Sequence, residues 1–137
     1  MATLKLEILT PSAKIFAGDA DIVHLPGAEG EMDILPQHEV LITELVAGEL
    51  RITHQGQTEI IAIGDGFAEI TGDSVAVLTD GAVNEKDIDE KVAEEAVKRA
   101  EELLKSNTLQ GEELEATQAS LARALAQIKV KRRHHGG

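Results

Sequence analysis

The chain has 137 residues, of which 28% are charged, and a formal net charge of −12 at pH 7. This describes a globular chain, one domain or a small domain with an appendage, and excludes a disordered one. The acid excess argues against binding a phosphate backbone, and two aromatic residues, Phe16 and Phe67, supply no platform for base stacking.

The absence of cysteine removes disulfides and thiolate zinc sites. The opening MATLKLEILT lacks the basic-then-apolar layout of a signal peptide. No apolar run approaches the ~18 residues of a membrane helix. Any work at a membrane is therefore expected to run through a partner.

Residues 3–10 alternate, with Leu4, Leu6 and Ile8 against Lys5 and Glu7, which predicts a half-buried strand. Pro11 ends it. Ile15 and Phe16 begin a short second strand before Gly18, and Asp21 to Leu25 make a third.

The stretch LPGAEGEMDILPQHEVLITEL, Leu25 to Leu45, organises the rest of the β region. Glycine reaches positive φ without steric cost and proline blocks a central strand. The chain is thus expected to bend around Pro26 to Gly30 and again around Pro36 to His38, with short strands at Met32–Leu35 and Val40–Leu45. Glu49 to His54 alternates next. Gln55-Gly56 is a hairpin signal, and Ile60, Ile61 and Ile63 form the return strand. Two further strands, Phe67–Thr71 and Val75–Leu78, lie between glycine turns, and Asp80-Gly81 closes the region. The short turns predict antiparallel pairing throughout, and the spacing predicts a β-sandwich.

The period changes at Asn84, dividing the chain into a β-sandwich, residues 1–84, and a helical hairpin with a basic tail, residues 85–137. Asn84 or Asp87 is placed to cap a first helix carrying Ile88, Val92, Ala96, Ala100 and Leu103 or Leu104 at helical spacing. Ser106 to Gly111 breaks it. A second helix from near Glu112 puts Leu114, Leu121, Leu125 and Ile128 on one face. Both helices are rich in alanine, which buries little area, so the hairpin is expected to hold together weakly. After Glu115 there is no acid, while Arg123, Lys129, Lys131, Arg132 and Arg133 follow. His134 and His135 read as a frayed tail.

The acidic glycine turn, the Ile-Leu-Pro-x-His string ending at His38 and the apolar stretch with Thr43 resemble the signature of the epsilon subunit of F-type ATP synthases. So does the order of a β region and then two helices. The resemblance implies a non-catalytic rotor subunit without cofactor that couples the γ shaft to the c-ring. It also implies mobile C-terminal helices that inhibit ATP hydrolysis, and a peripheral position on the cytoplasmic face of a bacterial membrane or the equivalent thylakoid face. Glu29, Gly30, Glu31 and His38 would lie at the contact with the c-ring and γ. Asp33 stands where glycine is usual. The nucleotide motif of some members reads here Ile88-Asp89-Glu90-Lys91-Val92-Ala93. Ile88, Asp89 and Ala93 remain, but Val92 replaces the arginine that would pair with phosphate.

Other chemistry has little support. His24, His38 and His54 lie in separate strands with no metal-ligand spacing. Glu29, Glu31 and Asp33 lack the spacing of a calcium loop, and Gly64-Asp65-Gly66 is a turn without the lysine of a phosphate loop. A helix C-terminus explains one or two of the five late cations. The rest imply an acidic partner, which in the family is the catalytic β subunits and nearby γ. The alternative is a small-ligand-binding β-sandwich with a regulatory helical arm.

Overall fold

A computed structural model describes residues 2–135. The strands are β1 (Leu4–Leu9), β2 (Lys14–Ala20), β3 (Ile22–Gly27), β4 (Gly30–Ile34), β5 (His38–Leu45), β6 (Gly48–His54), β7 (Gln57–Ile63), β8 (Gly66–Gly72), β9 (Ser74–Thr79) and β10 (Ala82–Asn84). A 3₁₀ turn at Glu85–Asp87 leads into α1 (Glu90–Lys105) and α2 (Gly111–His135).

The strands form one hydrogen-bonded path, β10-β7-β6-β3-β5-β8-β9-β1-β2, with β4 on β3. A single residue pair, Gly27 with Leu45, joins β3 to β5, and there the path divides into two layers. Leu4, Leu6 and Ile8 of β1, Val75 and Val77 of β9, and Ile70 of β8 meet Leu25 of β3, Leu50 of β6 and Ile61 and Ile63 of β7 in one core. The period of two does this: alternate residues face inward, and each fully buried side chain contributes about 1.5–3 kcal/mol. The expected sandwich is therefore present.

Several local expectations are corrected. The pairing of β1 with β9 is parallel, Lys5 opposite Ser74 through Leu9 opposite Leu78. Short turns dictate antiparallel neighbours only for consecutive strands, and these two are separated by most of the domain. The bend expected around Pro26 to Gly30 is present, with Pro26 itself still in β3 opposite Glu31. The turn is Ala28-Glu29, between Gly27 and Gly30 (φ 135°). At Gln55-Gly56 both residues have positive φ, 52° and 78°, matching the twist of a two-residue hairpin.

Asn84 caps the 3₁₀ turn by accepting from the Lys86 amide. The cap of α1 is neither Asn84 nor Asp87 but Asp89, whose carboxylate accepts from the Lys91 and Val92 amides. The buried stripe of α1 is Ala93 and Ala100; Val92 is 58% exposed and Leu103 48%. On α2 the buried residues are Ala124, Ala126 and Val130, while Leu125 is half exposed. The fully buried helix positions are mostly alanines, while Leu104, Leu114, Leu121 and Ile128 are partly buried.

α2 lies on the outer face of β6 and β7, and α1 packs on α2. Val130 meets Ala62 and Ile88, with Ile60 and Val83 at the margin. The hairpin is thus folded against the sandwich.

Candidate functional site

Three surfaces carry the exposed chemistry. The first is the tip of the β3–β4 hairpin. Gly27 faces Gly30 so closely that a β-carbon would strike the Gly30 carbonyl, and this close approach puts Glu29, Gly30 and Glu31 at the rim. Glu31 and Asp33 alternate onto the same face as His24. The His24 Nδ1 is 2.7 Å from Asp33 Oδ1 and its Nε2 is 3.2 Å from Glu31 Oε1. Carboxylates only accept, so each contact requires a proton on the facing nitrogen. Asp33 lies in regular strand opposite His24, which is its local role. His38 starts β5 opposite Gly72, at the end of that strand away from Leu45 and the Gly27 turn. The four residues expected at one contact thus occupy two ends of the sheet.

The second surface is the outer face of β5, β8 and β9. Ala68, Ile70, Val75 and Val77 point inward, so Phe67 and Leu78 point outward. They are register partners, and Ile42 lies on the adjoining strand opposite Glu69. Ile42 is 69% exposed, Phe67 55% and Leu78 48%. Phe67 and Leu78 are directly paired and Ile42 is diagonal to Phe67, with Glu44 and Glu69 beside them, an apolar patch on an open sheet face of the kind that serves as a contact surface.

The third is the seat of α2, where the expected basic residues come together. Arg123 Nη1 is 3.0 Å from Asp80 Oδ2. Lys131 Nζ donates to the Glu85 carbonyl at 3.1 Å. Arg132 reaches Glu90 and Glu94 of α1, at 3.3 and 3.0 Å. Glu49, one of two buried polar side chains among the described residues, holds Arg51 at 3.1 Å, His134 at 2.7 Å and Arg133 at 3.8 Å. His134 is therefore no frayed tail but part of the last turns of α2. The apolar part of the seat is small. Burying Val130 contributes about 1.5–3 kcal/mol and the alanines less, so charged contacts weigh heavily in how firmly α2 is held.

Lys129 lines an open groove of about 740 Å³ between α2 and the β3–β4 tip, together with Pro26, Val46, Leu125 and Arg133. Of the nucleotide-motif residues, Ile88 is buried in the second apolar cluster, Asp89 is the helix cap and Ala93 is in the helix seam. Each has a structural task. His54 sits 3.5 Å from Asp21 and His38 Nδ1 donates to the Glu39 carbonyl. Among the described residues no group of three or more His, Cys, Asp or Glu is arranged to hold a metal, and no helix is long and apolar enough to cross a membrane.

Sequence reasoning missed His24 and Glu49. The signal for His24 was available: in a hairpin turning at Ala28-Glu29, His24 falls opposite Asp33. Nothing local marked Glu49, whose partner His134 is 85 positions away.

These features define a class, a β-sandwich bearing a helical hairpin on one outer face, with its chemistry on open surfaces. Residues 3–85 match the family model for the ATP synthase Delta/Epsilon chain, beta-sandwich domain, and residues 86–132 the model for its long alpha-helix domain. A protein called ATP synthase epsilon chain in Dehalococcoides mccartyi is 42% identical over 98% of both chains. One of the same name in Halorhodospira halophila is 41% identical over 95% of this chain and 93% of its own. A chain in the cryo-EM structure of the Euglena gracilis mitochondrial ATP synthase superposes with a TM-score of 0.72 at 22% identity, over 92% of this chain and 79% of that one. A chain in the Tetrahymena thermophila mitochondrial ATP synthase central stalk and c-ring gives 0.56 at 13% identity, over 95% and 94%. The two structures share the fold. This chain belongs to the ATP synthase delta/epsilon family.

Proposed function

We propose that the chain is a non-catalytic rotor subunit of an F-type ATP synthase. Its sandwich joins a γ shaft to a c-ring, and its hairpin restrains ATP hydrolysis. The observation that carries the reading is the outward patch of Ile42, Phe67 and Leu78. Three large apolar side chains on one open face call for a partner that covers them, and the shaft is the partner that a subunit of this family would place there. The acidic tip at Glu29–Glu31 is assigned to the c-ring loops, and His38, at the other end of the sheet, to the edge of the shaft contact. The chain reaches the membrane only through these partners, on the cytoplasmic face of a bacterial membrane or its thylakoid equivalent. The cations of α2 are assigned to acidic helical segments of the catalytic β subunits.

The test is reconstitution with γ, c-ring and β components. The wild-type chain is expected to co-purify stoichiometrically with γ. Phe67→Ser with Ile42→Ser is expected to lose γ while keeping the sandwich folded. Retention of γ at wild-type level by that double variant sinks the assignment of this face. Failure of the wild-type chain to bind any component sinks the rotor reading itself.

A further inference from the structure

Arg123 does not simply cross the surface to reach Asp80. Its stem runs over a gap between two glycines on facing turns, Gly64 and Gly81, whose backbones are joined by a hydrogen bond of 2.9 Å from the Gly64 amide to the Gly81 carbonyl. A β-carbon at Gly81 would come 2.8 Å from Arg123 Cδ and 3.5 Å from its Nε. One at Gly64 would come 2.8 Å from Arg123 Cγ and collide with the Asp80 carboxylate. Real β-carbons do not approach heavy atoms so closely, so either side chain would push Arg123 out. Thr79 Oγ1 braces both turns, donating among the Gly64, Asp65 and Gly81 carbonyls at 2.9–3.1 Å. None of these hydrogen bonds involves the arginine.

We infer that this glycine slot, with Asp80 at its end, is the latch that keeps the hairpin folded on the sandwich. Glu49 is a second anchor, for the last turns of α2. The inference deepens the reading that α2 leaves the sandwich to restrain hydrolysis, and rests on it for its biological consequence. The same cations that would engage an acidic partner are held at home: Arg123 by Asp80, Arg133 by Glu49, Arg132 by Glu90 and Glu94. The intramolecular acids and the partner's acids compete for one set of charges, so the strength of the latch sets how often α2 is free. The apolar seam beneath has only Val130, Ile88 and Ala62 as its buried members, with Ile60 and Val83 at the margin, a small area to fix the helix alone. Charged contacts at both ends then decide the equilibrium.

Gly81→Ala isolates the latch. No positive φ constrains Gly81, and Arg123 is what its new methyl would meet. The variant therefore displaces the arginine stem from its seat while leaving every cation of α2 in the chain. Glu49→Gln is the second variant, acting at the other anchor. The measurement is hydrogen exchange on the whole free chain. Either variant is expected to raise exchange of α2 amides about fivefold with β1, β8 and β9 unchanged, a shift equivalent to about 1 kcal/mol, the upper end for a part-exposed ion pair. High salt is expected to speed wild-type α2 exchange and to do so less in the variants. Wild-type exchange of α2 in both variants overturns the latch, as does loosening of the sandwich to the same degree as α2. In the reconstituted complex Gly81→Ala is expected to inhibit hydrolysis more strongly than wild type. If α2 is released in the free chain but inhibition is unchanged, the latch stands and the inhibitory role of the hairpin falls.

Discussion

Glu49 on β6 and His134 on the last turns of α2 are 85 positions apart in sequence and 2.7 Å apart in space. Glu49 points to the outer face of the sheet, where a carboxylate would ordinarily be wet; α2 covers it. A carboxylate covered in this way is tolerated only if its oxygens are satisfied, and Arg51, Arg133 and His134 do that.

A double-mutant cycle on Glu49→Gln and His134→Gln is therefore expected to show coupling. Residues in one hydrogen-bonded network couple by about 0.5–3 kcal/mol, and the partial exposure of His134 places this pair at the lower end. Hydrogen exchange of α2 in the four chains measures it. Strictly additive effects would remove Glu49 as the anchor of the last turns.

The sandwich is proposed to fold alone. The core of Leu4, Leu6, Ile61, Ile63, Ile70 and Val75 draws on both β layers and no helix. A chain ending at Asn84 is expected to unfold in one cooperative transition and still bind γ, with Glu49 and Ala62 newly exposed. Loss of a cooperative transition, followed by calorimetry or circular dichroism, rejects the division at residue 84.

Two neighbours on β8 should respond oppositely. Ile70 is fully buried and Phe67 is 55% exposed. Ile70→Ala is expected to cost about 2–5 kcal/mol through lost transfer energy and a cavity. Phe67→Ala is expected to leave stability within about 1 kcal/mol, because a solvent-facing side chain loses little on truncation. Binding to γ should invert the order, with Phe67→Ala the damaging change. Urea unfolding and a γ pull-down on the same two proteins settle it.

Strand positions were legible in sequence because a two-residue period leaves no ambiguity about face: Leu4, Leu6 and Ile8 share one face in the sequence pattern and all three are buried. Helix faces were less legible. Ile88, Val92, Ala96, Ala100 and Leu103 or Leu104 suggested one stripe; Ile88 and Ala100 are buried as expected, but Ala93 joins them and Val92 and Leu103 stay largely exposed. The reason is that close helix approach selects for small residues, so size and burial diverge. α2 contacts a helix and a sheet, and a single stripe does not describe it. The acidic tip, the basic final helix and the alanine seam could be read directly. The Arg123 slot could not, since it joins residues 43 apart through glycines whose importance lies in what they leave out.

No ATP affinity tighter than roughly millimolar, about −4 kcal/mol, is expected. Val92 replaces the phosphate-pairing arginine, and Asp89 already spends its carboxylate on the Lys91 and Val92 amides. Asp89→Ala should instead destabilise α1 by about 1 kcal/mol, as loss of a helix cap does. Isothermal calorimetry giving a micromolar constant would show that Arg99 or Arg123 replaces the missing contact.

The last prediction concerns the cations themselves. Changing Arg123, Lys129, Arg132 and Arg133 together to alanine has two consequences of opposite sign. It loosens α2, because Asp80, Glu90 and Glu94 lose their cations and Glu49 keeps only Arg51 and His134, and it removes the charges with which a freed α2 would grip an acidic surface. Close interfacial charge pairs couple by about 1.5–7 kcal/mol, while exposed pairs such as these within the folded chain contribute about 0–1 kcal/mol each. The second consequence therefore outweighs the first, and inhibition of ATP hydrolysis should be relieved although α2 is more often free. Assembly should persist, since Ile42, Phe67 and Leu78 are untouched, and α2 should stay helical with Ala124, Ala126 and Val130 in place. The ATPase rate of the reconstituted complex, taken with both chains at two salt concentrations, reads the outcome. Equal inhibition by both chains without salt dependence would eliminate the electrostatic grip and assign the restraint to the bulk of the helix alone.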